Sequence, residues 1–205
     1  MQRDGGILAD LCHIDRDRRK LHDALTAPGL DILLVAGATG NGTDDFAGAV
    51  LAEVGELAIH GVALSPGESA GMGRAGAGAL VFLLPGAPAA CLWAYELFAG
   101  RAIRRLGGRN PALPFRSTEM LTNRKIVSRI GVTEICPVRC RDNRSVEPIA
   151  SFAEAGLMSA SRADGFVIIP EGSEGFPEGA AVTVYLQQGF DAPSSLISEG
   201  PDPKS

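Results

Sequence analysis

The sequence predicts an α/β protein in which a partial parallel sheet is followed by a small β-barrel. Three observations lead to this fold class. The runs at residues 31–36 and 77–84 are almost wholly apolar, which is typical of strands buried on both faces of a parallel sheet. Helical patterns alternate with these runs in the first half of the chain, and short β-type runs separated by turn residues fill most of the second half.

The first half predicts an alternation of strands and helices. An apolar run at residues 6–13 indicates a strand before the helix at 16–25, and the strand at 31–36 precedes a helix at 46–54. Further strands are predicted at residues 58–64 and 77–84, followed by a long helix at 88–106.

A linker separates the two halves, because the glycines and prolines of residues 107–114 cannot continue a helix. We therefore expect a binding domain at residues 1–108, a β-barrel domain at 115–187 and a disordered tail at 188–205. The strands expected in the second half are residues 126–130, 134–139, 165–170 and 181–186.

Composition limits the classes of function. A net charge of -5 argues against a nucleic-acid partner, which needs a basic face to offset phosphate repulsion. The longest apolar run is interrupted at Pro85 and Gly86, well short of the roughly 20 residues that a membrane helix needs. The first residues show no export signal, so we expect a cytoplasmic protein that does not span a membrane.

Cysteines and histidines do not indicate a metal centre. Cys12, Cys91, Cys136 and Cys140 lack the spacing of a zinc site or a disulfide scaffold, so reduced thiols are expected. The three histidines, His13, His22 and His60, have no second ligand at metal-binding spacing and are interpreted as ordinary surface or half-buried residues.

A glycine-rich loop carries the first candidate site. The strand at residues 31–36 leads directly into Gly-Ala-Thr-Gly-Asn-Gly-Thr-Asp-Asp at 37–45 and then into a helix. Glycines permit close approach, so backbone N–H groups and the helix N-terminus can face an anion at the carboxyl end of the sheet. A tight turn with an aspartate N-cap explains the loop equally well.

A second loop, Pro-Gly-Ala-Pro at residues 85–88, follows the strand at 77–84. By itself this is a structural turn, in which Pro88 suits the first position of a helix. Two loops that leave adjacent parallel strands at the same edge form a crevice, which is where open α/β sheets bind ligands. The two loops together predict a pocket for a phosphorylated small molecule.

Four ordered motifs make the hypothesis more specific. They are the loop at residues 37–45, His-Gly-Val-Ala-Leu-Ser-Pro-Gly at 60–67, Leu-Pro-Gly-Ala-Pro at 84–88 and Gly-Leu-Met-Ser-Ala-Ser-Arg-Ala-Asp-Gly at 156–165. In this order and spacing they resemble the molybdopterin molybdenumtransferases, cofactor-assembly enzymes related to the C-terminal part of gephyrin. The resemblance covers roughly residues 5–186.

The resemblance implies magnesium-dependent insertion of molybdate into adenylylated molybdopterin, with release of AMP. It implies that Asp45 is the catalytic carboxylate and a ligand of Mg²⁺, for which a carboxylate oxygen is a suitable hard ligand. It also implies a pterin-binding and phosphate-binding set, here Gly37, Thr39, Gly40, Gly42, Ser65, Arg74, Pro85, Gly86, Pro88 and Ser159.

The chain departs from the family at several positions. Ser65 and Glu68 stand where members usually carry lysine, and Ala87 replaces an asparagine. Relative to the family, the chain begins inside the α/β domain, without its first strand. We therefore expect a homodimer or a companion chain that covers the edge of the sheet and completes the site.

Three hypotheses remain open at this point. The chain is a molybdenumtransferase, or a catalytically weak protein that holds or delivers molybdopterin, which the missing lysines favour. The third hypothesis is a nicotinamide-dependent oxidoreductase, because Gly-Ala-Thr-Gly-Asn after a strand also resembles the start of a dehydrogenase fingerprint. That fingerprint expects glycine at position 43, where this chain has threonine.

Overall fold

A computed structural model describes residues 1–40, 42, 44–142, 144–149 and 162–187. The chain divides into two compact units: the first comprises Met1–Val62 and Gly67–Leu113, and the second comprises Ala63–Pro66 and the residues from Pro114 onward. The domain prediction assigned residues 63–66 to the first domain, whereas the contacts of these residues lie in the second unit. The tail predicted at residues 188–205 lies outside the described residues.

The helical segments are short. They are a 3-10 turn at Gln2–Asp4, α1 (Arg18–Thr26), α2 (Ala47–Val54), α3 (Pro88–Ala94), a π-helical turn at Tyr95–Ala99 and α4 (Gly100–Leu106). The last three follow one another without a break, as the predicted long helix requires. Within the described ranges, no helix is long and apolar enough to cross a membrane.

Twelve strands are assigned among the described residues. In chain order they are β1 (Ile32–Ala36), β2 (Gly55–His60), β3 (Leu64–Ser65), β4 (Gly71–Ala75), β5 (Leu80–Leu84), β6 (Arg116–Thr122), β7 (Ile126–Val127), β8 (Thr133–Cys140), β9 (Ser145–Pro148), β10 (Gly165–Ile169), β11 (Gly175–Phe176) and β12 (Ala181–Leu186).

The sheet of the first unit has the order β1-β5-β4-β2. The predicted parallel pair is confirmed, since β1 and β5 run side by side with Ala36 opposite Leu84. The sheet is nevertheless mixed, because β4, which was not predicted, is antiparallel to both β5 and β2. Consequently β1, β2 and β5 all point the same way, and their last residues, Ala36, His60 and Leu84, lie at one edge. This edge is called the loop edge below.

Helices cover both faces of this sheet, and alternation along β5 directs its side chains to two cores. Val81 and Leu83 are completely buried and belong to the cluster formed with α1 and α2. Phe82 and Leu84 belong to the opposite cluster, which includes Ala94 and Ala99 of the α3–α4 segment. A strand that is apolar on both faces is what this three-layer arrangement requires.

The strand predicted at residues 6–13 is wrong. This stretch has no regular secondary structure, and Ile7 and Leu11 are 91% and 84% exposed. A strand needs a neighbour that supplies ladder hydrogen bonds, and no strand in the described part of the chain pairs with this run. An apolar pattern is therefore insufficient here without a partner strand.

A buried ionic cluster connects the N-terminal 3-10 turn to the π-helical turn and α4. Asp4 is 1% exposed, and its carboxylate accepts hydrogen bonds from Tyr95 Oη at 2.6 Å and Arg104 Nη1 at 2.5 Å. Arg3 donates to Asp4 and also to both carboxylate oxygens of Glu96, at 2.8 and 2.9 Å. The charges of this cluster therefore compensate one another inside the first unit.

The second unit contains the predicted β-barrel. Strands β10, β12, β6, β9 and β8 pair in that order, and β8 pairs again with β10, which closes the barrel. The interior is mainly apolar, and its fully buried members include Val138, Val146, Ile169 and Val184. The two-residue strand β3 joins the outside of the ring in parallel with β8, so that Ser65 pairs with Glu134.

Candidate ligand-binding site

The two predicted loops lie together at the loop edge of the first unit. The backbone carbonyl of Leu84, the last residue of β5, accepts a hydrogen bond from Gly37 N–H at 3.0 Å. The same carbonyl accepts a second bond from the Thr39 hydroxyl at 3.1 Å. On the other loop, a Cβ at Gly86 would lie 3.4 Å from Gly37 Cα. The structure thus brings residues 37–39 and 85–86 into one edge site.

The first turn of the glycine-rich loop has a left-handed backbone. Gly37 has a φ of +88°, which glycine adopts without steric cost, and Ala38 has a φ of +54°. A left-handed alanine costs roughly 1–2 kcal/mol and is held only where its surroundings fix it. Here the Ala38 carbonyl accepts the N–H of Ala47, the first residue of α2, at 2.9 Å. The loop is therefore tied to the helix that follows it.

Asp45 folds back onto this loop. One carboxylate oxygen, Oδ2, accepts the N–H of Gly42 at 2.9 Å, and the Asp45 N–H donates to the Gly42 carbonyl at 3.0 Å. A Cβ at Gly40 would lie 2.5 Å from Oδ2, and one at Gly42 would lie 3.0 Å from it. Both glycines are therefore required for the approach of the protein's own carboxylate, a reason that the sequence interpretation did not contain.

The donor set suits a magnesium ion that is held mainly by a phosphorylated ligand. Within the described residues no three His, Cys, Asp or Glu side chains cluster as a metal cage. Magnesium is commonly bound through one or two carboxylates together with substrate phosphates and water. A carboxylate has about four lone-pair positions. The bond from Gly42 uses one of them, so Asp45 retains lone pairs that can coordinate a metal ion.

Thr39 is placed at the loop edge but has a structural role there. Its side chain is buried, with the residue 1% exposed, and its hydroxyl is used in the bond to Leu84. On the second loop, Pro85 is buried, whereas Gly86 and Pro88 are exposed. Pro88 is at the start of α3 and has the fixed φ that suits a first helical position.

The other three predicted residues have different outcomes. Arg74 pairs with Leu80 at the opposite end of β5, and its Nη1 donates to the Gly78 carbonyl at 2.8 Å. Ser65 belongs to the second unit, where it is 4% exposed beside β8. Ser159 lies outside the described residues. The sequence did not reveal that β4 reverses direction, which carries Arg74 to the opposite end of the sheet from the two loops.

Two further residues reach the loop edge. The Nε2 atom of His60, at the end of β2, lies 2.8 Å from the Thr39 carbonyl. Arg16, an exposed residue before α1, donates from Nη1 to the exposed carboxylate of Asp44 at 2.8 Å. The signal in the sequence that could have identified His60 is its place at the start of the motif at residues 60–67, since its spacing from other metal-ligating residues indicates no role. No sequence signal distinguished Arg16.

Two open clefts are present among the described residues, and neither is lined by a residue predicted for the site. A cleft of about 490 Å³ is lined by Arg18, Arg19, His22 and Asp23 of α1 and by Glu53 of α2. A groove of about 420 Å³ in the second unit is lined by Glu119, Val167, Ile168, Pro170, Phe176, Ala181, Val182, Thr183 and Tyr185. The loop edge is where glycines, a carboxylate and two strand ends meet.

Comparison with known families agrees with this architecture. Residues 1–105 match the family described as "probable molybdopterin binding domain", and residues 120–187 match the "MoeA C-terminal region (domain IV)". The chain belongs to the molybdopterin-binding domain family. The first match spans the loop at residues 37–43, on which the nicotinamide hypothesis was based.

Relatives carry names from the same pathway. A molybdopterin biosynthesis protein of Methanocaldococcus jannaschii is 29% identical over 177 residues, covering 86% of this chain and 42% of the relative. Molybdopterin molybdenumtransferase 1 of Mycobacterium tuberculosis is 29% identical over 167 residues, covering 77% of this chain and 39% of that enzyme. The chain thus spans about two fifths of the length of these curated relatives.

Solved structures resemble the chain as well. The crystal structure of the molybdopterin biosynthesis MoeA protein from Pyrococcus horikosii superimposes with a TM-score of 0.61 at 30% sequence identity. The alignment covers 78% of this chain and 38% of that one. A molybdenum cofactor biosynthesis protein from Pyrococcus furiosus, with a TM-score of 0.58 at 23% identity, supports the fold.

Proposed function

We propose that this chain binds molybdopterin at the loop edge of its first unit and acts in molybdenum cofactor biosynthesis. The observation that carries the proposal is the Leu84 carbonyl, which joins the glycine-rich loop to the Pro-Gly loop through Gly37 and Thr39. In a member of a molybdopterin-binding family, two loops fixed at the carboxyl ends of adjacent parallel strands form a suitable site for a phosphorylated pterin.

We further propose the finer reaction, insertion of molybdate into adenylylated molybdopterin with release of AMP. In this proposal the exposed Gly86 and Pro88 face the pterin, and the glycine-rich loop faces the phosphate. Asp45 would hold Mg²⁺ together with the ligand's phosphates, and the ion would neutralise phosphate charge when bound. Molybdate is a substrate of this reaction, and adenylylated molybdopterin is the other.

Loss of positive charge relative to the family favours a second candidate, a protein that carries molybdopterin without transferring metal. Ser65 and Glu68 replace two lysines of the family, and Arg74 lies at the far edge of the sheet. Arg16 is a cation beside the loop, but its charge is shared with Asp44 in an exposed pair of the kind that contributes about 0–1 kcal/mol. A weaker positive field reduces stabilisation of an oxyanion without abolishing pterin binding.

The experiment is a calorimetric titration of the purified chain with molybdopterin and with its adenylylated form. Each titration is repeated with and without magnesium and molybdate, while AMP is measured by chromatography. Asp45→Asn and Asp45→Ala form a matched pair, because asparagine keeps an oxygen that accepts the Gly42 N–H but carries no charge.

The two candidates predict different results. A transferase binds both ligands, releases AMP only with magnesium and molybdate, and loses that release in both Asp45 variants. A carrier binds molybdopterin and releases no AMP. Absence of binding in every condition refutes both candidates for this chain. Light scattering with and without ligand tests the associated proposals of a homodimer or a companion chain, and fractionation of cells tests a cytoplasmic location.

A further inference from the structure

His60 is brought to the glycine-rich loop by the direction of β2. Although β4 lies between β2 and β5, β4 is antiparallel to both, so β2 ends at the same edge as β5. The residue is exposed, and it is followed by Gly61, at which the chain turns. Its position therefore follows from sheet topology, whereas packing into the core contributes little.

The contact of His60 defines which nitrogen carries hydrogen. Its Nε2 atom lies 2.8 Å from the Thr39 carbonyl oxygen, and a carbonyl can only accept, so Nε2–H must be the donor. The ring rests against α2 at Gly48, where a Cβ would approach the ring Cε1 to 3.2 Å and Nδ1 to 3.3 Å. A glycine at position 48 thus leaves room for the imidazole.

This hydrogen bond acts on the peptide that joins Thr39 to Gly40. Because a peptide unit is planar and trans, the Thr39 carbonyl and the Gly40 N–H point in opposite directions from one plane. Holding the carbonyl toward His60 therefore orients the Gly40 N–H away from it. The Thr39 hydroxyl and the Gly37 N–H are both held by Leu84, so the loop is anchored to the ends of β2 and β5.

We propose that His60 is the positioning residue of the glycine-rich loop and that it sets the loop's affinity for the phosphate of its ligand. This inference rests on the proposed function, since it concerns the same site. His60 acts through Thr39 by keeping a backbone donor in the orientation that an anion needs. A loop whose donors are oriented in advance loses less conformational freedom on binding, which raises affinity.

The test compares His60→Leu with His60→Gln in the full chain. Glutamine places an amide N–H near the position of the histidine Nε2, so it can still donate to the Thr39 carbonyl, whereas leucine cannot. Loss of one such bond corresponds to about a tenfold weaker Kd for molybdopterin. We expect His60→Leu to show this loss and His60→Gln to remain within about threefold of wild type.

Gly48→Ala provides an independent perturbation that leaves His60 in place. The added methyl group displaces the imidazole, while alanine improves the intrinsic helix propensity of α2. We expect weaker binding of molybdopterin with no loss of thermal stability. A general structural defect would lower the stability together with the affinity, so a parallel decrease of both in Gly48→Ala and His60→Leu counts against positioning.

Amide hydrogen exchange separates this inference from the proposed function. In the ligand-free chain, loosening of the loop in His60→Leu is expected to raise the exchange rates of the hydrogen-bonded Gly37 and Ala47 amides by about tenfold relative to wild type and His60→Gln. Absence of molybdopterin binding by wild type refutes the proposed function and leaves the exchange result to judge the positioning role. Identical exchange in all three proteins, or equal affinity of His60→Leu and wild type, overturns the role of His60.

Discussion

The Thr39 hydroxyl donates a hydrogen bond to the backbone carbonyl of Leu84, 45 residues further along the chain, at 3.1 Å. Both partners are buried, and the same carbonyl also accepts the N–H of Gly37. A side chain that was predicted to contact the ligand therefore joins the two loops that would surround it.

Thr39→Val should reduce the free energy of unfolding of the first unit by about 1 kcal/mol. Valine keeps the shape of threonine but removes the hydroxyl, while the Leu84 carbonyl retains the bond from Gly37. Denaturation followed by the fluorescence of Trp93, the single tryptophan and 3% exposed in the first unit, measures this change. Thr39→Ser keeps the hydroxyl as the control, and equal stability of the valine and wild-type proteins would contradict the prediction.

The sequence predicted the parallel pair β1 and β5 because both strands are apolar on each face and end in distinctive loops. It did not predict β4, whose five residues include Gly71 and Gly73. A Cβ at Gly73 would lie 2.0 Å from the Glu56 carbonyl oxygen, so this strand depends on close backbone approach. The β-strand propensities of the residues do not predict such a strand, since glycine is intrinsically unfavourable in strands.

The same limits apply in the second unit and at the site. The missed strand β6 directs Thr118, Met120 and Thr122 inward, and two of these three side chains are polar. An alternation of threonine and methionine is too weakly apolar to stand out as a buried face. At the loop edge, motif order identified the two loops, whereas the roles of Thr39 and His60 depend on bonds to backbone carbonyls that no residue pattern encodes.

Gly40→Ala should disturb the magnesium-dependent part of ligand binding. The new methyl group would lie 2.5 Å from Asp45 Oδ2, so the carboxylate must leave the Gly42 N–H or the loop must shift. We expect titrations of adenylylated molybdopterin to lose most of their dependence on magnesium. Gly172→Ala, at a position with no atom within 4 Å, is the matched control. Wild-type magnesium dependence in Gly40→Ala would argue against Asp45 as the metal ligand.

Asp4→Asn should be strongly destabilising, by about 3–5 kcal/mol, because it leaves the buried Arg104 without its charge partner. Burial alone would raise the pKa of Asp4, but hydrogen bonds from Tyr95, Arg104 and Arg3 outweigh it and lower this pKa. The stabilisation is therefore present at neutral pH and is lost as pH falls through the lowered pKa.

Urea denaturation of Asp4→Asn between pH 7 and pH 3, followed by Trp93 fluorescence, measures both effects. We expect lower stability at pH 7 and a flatter decline toward acid than in wild type. Asp15→Asn is the control, since Asp15 is 83% exposed and its contact with His13 is a surface pair. If the stability of Asp4→Asn falls toward acid as steeply as that of wild type, other carboxylates cause the decrease.

The effect of Glu134→Gln on stability should be opposite in sign to that of Asp4→Asn, because the environment of Glu134 disfavours its charge. The residue is 4% exposed, and burial raises the pKa of its carboxyl despite a hydrogen bond from the Ser128 hydroxyl at 2.9 Å and the nearby charge of Arg129. Between the ordinary and the raised pKa, the folded state binds more protons than the unfolded chain. Stability contributed at this site therefore falls as pH rises through that interval.

Glutamine has nearly the same shape and keeps an oxygen that can accept the Ser128 hydroxyl, so it removes the charge and retains the contact. We expect amides of β8 in Glu134→Gln to show equal or higher exchange protection at pH 7 and a smaller decrease between pH 4 and pH 7. The exposed Glu178→Gln should follow wild type throughout. The contrary outcome is that Glu134→Gln loses exchange protection at pH 7 while its pH dependence stays unchanged. In that case the ionised carboxylate stabilises the barrel. The cost of burying its charge beside Ser65 would then be compensated by Arg129 rather than by retention of a proton.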